Sequence, residues 1–311
     1  MRLFFILCRQ FVRKYILYRH WFSMVESVNM TFAHHLGNRG TAYFHRKVLG
    51  YLENSYGDIV KKYSGMTSYP TEWDMESLPI YVFWYQGLEN MPDIVRASYN
   101  SIMRHKGTHN VILLDRNNLT DYVEIPKTIL DKINHGYVNY TKLSNIVRQI
   151  LLTKGCIWMD ATIYLTEDIH LPSLSLYTIR TPEINGTKFV GKQKLTSYFF
   201  ASYPNNPLFL FERDILCRYY ENEDVLIDYF LMDYCYELCY RTCPAAKAML
   251  DRVPFNNVDV YFLAENLNCK YNPEEFNKIK QGTNIFKLSY KTYIDKGKKD
   301  TYYDYIVSSK L

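Results

Sequence analysis

The sequence predicts an α/β fold with a parallel sheet, preceded by a helical N-terminal extension. Three observations carry this. From about residue 78, short β-rich apolar runs alternate with helix-length segments, the order that builds parallel strands joined by crossover helices. Residues 1 to about 65 carry no strand pattern. The chain has 311 residues, 48% of them apolar, which is enough for one large α/β domain with a small appendage and excludes the disordered class. The connector Ser64–Glu76, with Gly65, Pro70 and Thr71, divides an extension (1–75) from a main domain (76–311).

The elements follow in order. Leu78–Tyr85 is a buried first strand, entered through Pro79 and closed by a turn at Gln86-Gly87. Pro92–Met103 is a helix with its proline in the first turn. Val111–Asp115 is a second buried strand, and Lys127–Asn134 a second helix. Lys142–Thr153 is a helix with Leu143, Ile146, Ile150 and Leu151 inward, ended by Gly155. Cys156–Met159 is a third buried strand that finishes at Asp160, and Thr162–Thr166 continues extended. A later strand is expected over Leu195–Ala201, helices over Pro207–Tyr220 and Glu223–Tyr240, and mixed strand and turn from Lys280.

Composition narrows the function classes. A net charge of +5, with acids and bases interleaved, does not mark a nucleic-acid binder and leaves anionic small molecules or a membrane surface open as partners. The 30 tyrosines suit either an aromatic core or a ligand cleft. Seven cysteines, an odd number without zinc spacing, fit a reducing compartment, and so a cytoplasmic protein. Cys235, Cys239 and Cys243 recur at helical spacing and read as a buried stripe rather than metal ligands. At the N-terminus, the apolar stretches Leu3–Leu7 and Tyr15–Tyr18 are interrupted by Arg2, Arg9, Arg13, Lys14 and Arg19. That excludes a signal peptide or a spanning helix within this stretch. It leaves two readings: a basic amphipathic helix lying on the inner face of a membrane, or a helix packed on the main domain.

Asp160 stands at the C-terminal end of an apolar strand, beyond which open parallel sheets bind ligands. A carboxylate there can hold Mg²⁺ or Mn²⁺ against a diphosphate, or simply cap a turn. Asn145 and Arg148, three residues apart, share a helix face that feeds the same crevice; the arginine fork suits phosphate, or a surface ion pair. No GxxxxGK[ST] phosphate loop is present.

The run Ser144-Asn-Ile-Val-Arg-Gln-Ile-Leu-Leu-Thr-Lys-Gly-Cys-Ile-Trp-Met-Asp-Ala-Thr162 resembles the signature of the capsular polysaccharide synthesis family, which is similar to glycosyltransferase family 32. Further matches are Trp84-Tyr-Gln-Gly87 with Glu89–Pro92, Val111–Asp115 with Tyr122–Pro126, Asp228–Tyr234 and Phe286–Lys291, so the resemblance spans roughly residues 75 to 292. It implies a GT-A, Rossmann-like nucleotide-diphospho-sugar transferase fold. The implied activity is a hexosyl-type transfer, with retention, from a nucleotide-sugar donor to a glycan or glycolipid acceptor of a capsule or lipopolysaccharide, with no nucleic-acid partner.

By the same resemblance, Asp160 would bind a divalent metal (Mn²⁺ or Mg²⁺) and the diphosphate, Arg148 would contact the donor, and Asn145 would hold donor-sugar hydroxyls. Trp84, Gln86 and Gly87 would lie near the base, and Asp228 or Asp233 would face sugar or acceptor. The chain departs from the pattern at Asn145, where the family has Asp, and at Cys156, where it has a second glycine; Thr162 stands where many GT-A enzymes carry a second Asp, but the family itself usually has Thr there, so the resemblance implies a metal held by Asp160, the diphosphate and water. Two other readings stay open: an inactive glycan- or nucleotide-binding relative, suggested by Asn145, and a membrane-associated scaffold, suggested by the basic N-terminus.

Overall fold

The computed structural model describes residues 2–33, 35–182, 189–192 and 194–311. The side chains of residues 2–7, including Arg2 and the Leu3–Leu7 stretch, lie outside the description. Four helices come first: α1 (Arg2–Tyr18), α2 (Met24–Ala33), α3 (Gly37–Ser55) and α4 (Gly57–Ser64). Then come β1 (Ile80–Phe83), α5 (Asp93–Arg104), β2 (Val111–Leu114), the single turn α6 (Leu119–Tyr122), α7 (Lys127–Asn134), α8 (Tyr140–Thr153) and β3 (Cys156–Asp160). β4 (Ile163–Leu165), β5 (Leu176–Thr178) and β6 (Phe199–Ser202) follow, then α9 (Pro207–Asn222), α10 (Leu231–Thr242) and α11 (Pro244–Arg252). The chain closes with α12 (Phe262–Asn266), α13 (Pro273–Lys280), β7 (Ile285–Lys287) and α14 (Tyr302–Val307).

The fold is α/β, around a five-stranded sheet of order β2-β1-β3-β6-β5. The expected parallel arrangement holds for β2, β1 and β3; β6 and β5 extend the sheet antiparallel. β1 and β3 are in register with Phe83 opposite Asp160, so both strands end at the same edge. β3 lies between β1 and β6 and is fully buried until Asp160, which is why it reads as an unbroken apolar run. Alternation then sorts its residues between two cores. Cys156 and Trp158 join the cluster under α8, α9 and α10, while Ile157 and Met159 join the cluster on the opposite face.

The N-terminal helices share the larger core. Tyr18, Met30, Phe44, Leu52, Ile59 and Tyr63 belong to the same buried cluster as Trp158 and Phe209. Polar ties reinforce this: Tyr63 donates to Asp214 of α9 at 2.7 Å, and the His45 ring is hydrogen-bonded to the Tyr234 hydroxyl of α10 at 2.7 Å. α1 leans on α2 through Phe11 against Phe32, with ring centroids 4.9 Å apart, and leaves Val12 and Ile16 exposed beside exposed Arg9 and Arg13. No helix among the described residues is long and apolar enough to cross a membrane.

Two expected elements change. The strand expected over Leu195–Ala201 begins only at Phe199. The helix expected over Glu223–Tyr240 begins only at Leu231. Side chains satisfy the backbone of the intervening segment instead: the buried Tyr219 hydroxyl donates to the Val225 carbonyl and accepts from the Ile227 amide, both at 2.8 Å. Cys235, Cys239 and Cys243 are buried.

Candidate functional site

A cleft opens beyond the shared edge of β1 and β3, in two halves that meet at Asp160. The halves measure about 510 and 500 Å³, each within the roughly 300–1,000 Å³ usual for small-molecule sites. Thr141, Ser144, Tyr229, Tyr261 and Lys291 line both halves, so they form one continuous groove.

The first half is aromatic. The chain leaving β1 supplies Trp84, Tyr85 and Gln86, and the chain leaving β7 supplies Ser289 and Tyr290. Trp84 stands perpendicular to Tyr290 at 5.4 Å, and Tyr85 stacks on Tyr140 at 4.3 Å. Such faces suit a planar base while leaving polar edges free. Gly87 is not in the lining. It turns the chain at φ 81°, its amide donating to the Trp84 carbonyl at 2.9 Å, and so holds the loop that carries Trp84 and Gln86.

The second half is built largely on α8 and α10 and sets polar side chains among aromatic ones such as Tyr236 and Tyr240. Asn145 and Arg148 both line it, but they bind each other: the Arg148 guanidinium donates to the Asn145 oxygen at 3.0 Å. Arg148 is 3% exposed, donates also to the Met232 sulfur, and lies 5.7 Å from the Trp158 ring. Its Nε has no hydrogen-bond partner. Asp233 lines the same wall, and burial raises its carboxyl to about 6 against the opposing pull of Arg148. Behind it, Glu212 of α9 is fully buried with both oxygens unpartnered; burial first, then Asp233, pushes its carboxyl well up. Farther along, Glu237 accepts from Lys194 and Arg241, both at 2.7 Å.

Asp228 is placed differently from the expectation that it belongs to the site. It is not in the lining of either half. Its carboxylate accepts the Phe230 amide at 2.8 Å and faces His45 and Lys14 of the N-terminal helices, so it caps the turn before α10. The structure thus brings Trp84, Gln86, Asn145, Arg148, Asp160 and Asp233 to one groove and leaves Asp228 outside it.

At the junction, the Trp158 indole donates to Asp160 Oδ1 at 3.0 Å. The other oxygen, Oδ2, lies 3.4 Å from Lys287 Nζ, which also donates to the Thr162 hydroxyl. This bears on the expected divalent metal. Among the described residues, no three His, Cys, Asp or Glu side chains are grouped to hold one. Mg²⁺ can be held by a single carboxylate with substrate phosphates and water. Here, however, both oxygens of that carboxylate already face donors: Oδ1 accepts from the Trp158 indole, and Oδ2 faces the Lys287 ammonium, a like charge to any cation placed there. The donor set therefore does not fit a resident metal at Asp160. Lys287 and Lys291 had a sequence signal, since both lie in the Phe286–Lys291 block, but nothing in the sequence links that block to Asp160. Glu212, inside an apolar helix, had none.

A family model described as capsular polysaccharide synthesis protein matches residues 27–306. Two solved structures are similar. One, described as PaToxG Glycosyltransferase, has a TM-score of 0.42 at 14% identity and covers 78% of this chain and 95% of its own. The other, described as WbbM bifunctional glycosytransferase in its apo structure, has a TM-score of 0.42 at 10% identity and covers 78% of this chain and 50% of its own. No curated protein sequence matches.

Proposed function

Since the chain belongs to the capsular polysaccharide synthesis protein family, we propose that it is a GT-A glycosyltransferase that moves a sugar from a nucleotide-diphosphate donor to a growing surface glycan. The observation that carries this reading is the single groove at the β1/β3 edge, with Trp84 and Tyr290 in one half, Asn145, Arg148 and Asp233 in the other, and Asp160 with Lys287 and Lys291 where they meet. The base would lie against Trp84 and Tyr290, the diphosphate at the junction, and the donor sugar and acceptor hydroxyl along Asn145 and Asp233.

In the reaction, the bond between the anomeric carbon and the diphosphate oxygen breaks, and the nucleoside diphosphate leaves with the electron pair. A bond forms from that carbon to an acceptor hydroxyl oxygen, which gives up its proton. Positive charge fixed beside the leaving oxygens stabilises the transition state without reorganisation during the reaction. In a retaining transfer the acceptor attacks from the face the diphosphate leaves, so the departing diphosphate oxygen takes the proton, and Asp233, its carboxyl raised to about 6 by burial, would hydrogen-bond and orient the acceptor hydroxyl. Arg148, buried and bound to Asn145, holds the sugar-side wall in shape. The family 32 resemblance makes retention the expected stereochemistry, readable from the product's anomeric NMR coupling.

The test is a thermal-shift screen with UDP, GDP, CMP and their sugars, each with and without Mn²⁺, followed by donor hydrolysis. We expect one base to stabilise the wild type. Trp84→Ala should weaken that binding roughly 5- to 100-fold, the range for losing one base–aromatic stack (about 1–3 kcal/mol). No shift with any nucleotide at millimolar concentration would leave a scaffold role instead.

A further inference from the structure

The junction of the cleft holds a fixed positive charge where the expected chemistry would put a metal ion. Lys287 is the last residue of β7 and its side chain is 19% exposed. Its backbone is pinned from two sides: its amide donates to the Val260 carbonyl at 2.7 Å, and the next amide, Leu288, donates to the Thr162 carbonyl at 2.8 Å. Pairing with β4 sets Lys287 opposite Ile163, so the side chain reaches the segment between Asp160 and Thr162. The ammonium lies 5.7 Å from the Tyr198 ring, which borders it on a further side.

An ammonium has three donors. One goes to Thr162 and one faces Asp160, which leaves the third for a ligand entering the groove. Asp160 offsets part of the Lys287 charge, and Lys291, which lines both halves, makes the junction net positive, so a diphosphate arriving there meets cations already in place. Thr162 matters to this arrangement. A hydroxyl at that position accepts from the ammonium and adds no negative charge, whereas a second carboxylate would favour a divalent ion. Lys291, which borders both halves of the groove, adds an exposed charge at the rim, 5.9 Å from the Tyr290 ring. Lysine binds phosphate as a compact point charge, which suits this role.

We infer that Lys287 is the built-in counter-cation for the donor diphosphate, so that nucleotide binding at this cleft needs no divalent metal. The inference rests on the cleft being the nucleotide-sugar site, and the experiment separates the two. Affinities of UDP, GDP, uridine, guanosine and inorganic pyrophosphate are measured by calorimetry, in EDTA and in Mn²⁺, for wild type, Lys287→Met and Lys287→Arg. Circular dichroism confirms that each variant is folded.

We expect the nucleoside diphosphate that binds to do so equally, within about threefold, in EDTA and in Mn²⁺. Lys287→Met should weaken it about 10- to 100-fold, the range for losing a charged hydrogen bond, while nucleoside affinity stays unchanged. Lys287→Arg keeps the charge and should retain most of the affinity, which guards against a misfolded methionine variant. Diphosphate binding that appears only with Mn²⁺, or that survives Lys287→Met, would overturn the inference and leave the nucleotide-sugar reading standing. Metal-free, Lys287-dependent pyrophosphate binding without any nucleotide binding would keep the cation site and overturn that reading. Binding of neither probe removes both.

Discussion

Asp233 shows how a residue's setting changes its chemistry. Its carboxyl is raised to about 6 because burial penalises the charged form, and Arg148 only partly offsets this. The ordinary value is 3.8, so between about pH 4 and 6 the folded protein binds a proton that the unfolded chain does not. The stabilising contribution is therefore complete below about pH 4 and is lost as the pH rises through about 6. Glu212, raised for the same reason, adds a contribution of the same sign. Asp233→Asn should accordingly flatten the rise in Tm between pH 7 and 4 without abolishing it. An unchanged slope, measured by scanning calorimetry across that range, would mean that Asp233 is solvated in the free protein. Asn145 carries the companion lesson: it provides Arg148 with an oxygen acceptor, so the amide in place of the family's acid still supports the wall of the groove.

At the scale of elements, the junction between α8 and β3 controls where Asp160 ends up. Gly155 has φ 82°, and a Cβ built there would meet the Pro204 nitrogen at 2.9 Å and its Cδ at 2.8 Å. The sequence shows that a glycine ends the helix; the close approach of the β6–α9 loop is a second reason for it. Gly155→Ala should cost about 1–3 kcal/mol from the backbone alone, with further loss from the overlap, and lower the urea midpoint. A midpoint within error of wild type would show that the Pro204 loop yields freely. The segment between α9 and α10 makes the opposite point. Helical periodicity continues through Glu223–Phe230, yet Tyr219 and Asp228 bind that backbone and delay α10 to Leu231. Propensity within one segment carries no record of a hydroxyl arriving from another.

For the whole molecule, the main question is how far the first four helices are separable. Their inward residues sit in the cluster that also packs α8, α9 and α10, the helices that carry Arg148, Glu212 and Asp233. Residues 66–311 alone would expose that surface to water, and an apolar patch of this kind drives association. We expect this fragment to be recovered as aggregate, or without a cooperative thermal transition. A soluble fragment that melts cooperatively and binds nucleotide like the full chain would show instead that the helices are an independent layer.

The α/β class, the three strands β1, β2 and β3, the helix α8 and the place of Asp160 at a strand end are all legible in the order of residues. These follow from local periodicity, glycine and proline positions, and the apolar run of a strand buried on both faces. The same order brings Trp84, Gln86, Asn145, Arg148 and Asp233 forward as candidates, through their positions in recognisable blocks. Which of these meet depends on how distant segments pack. That packing puts Asp228 against His45 and Lys14, places the unpartnered Glu212 behind Asp233, and sets Lys287 against Asp160, 127 positions earlier in the chain. Whether a strand-end carboxylate faces a metal or an ammonium depends on the pairing of β7 with β4, a contact between distant segments that periodicity and spacing cannot encode.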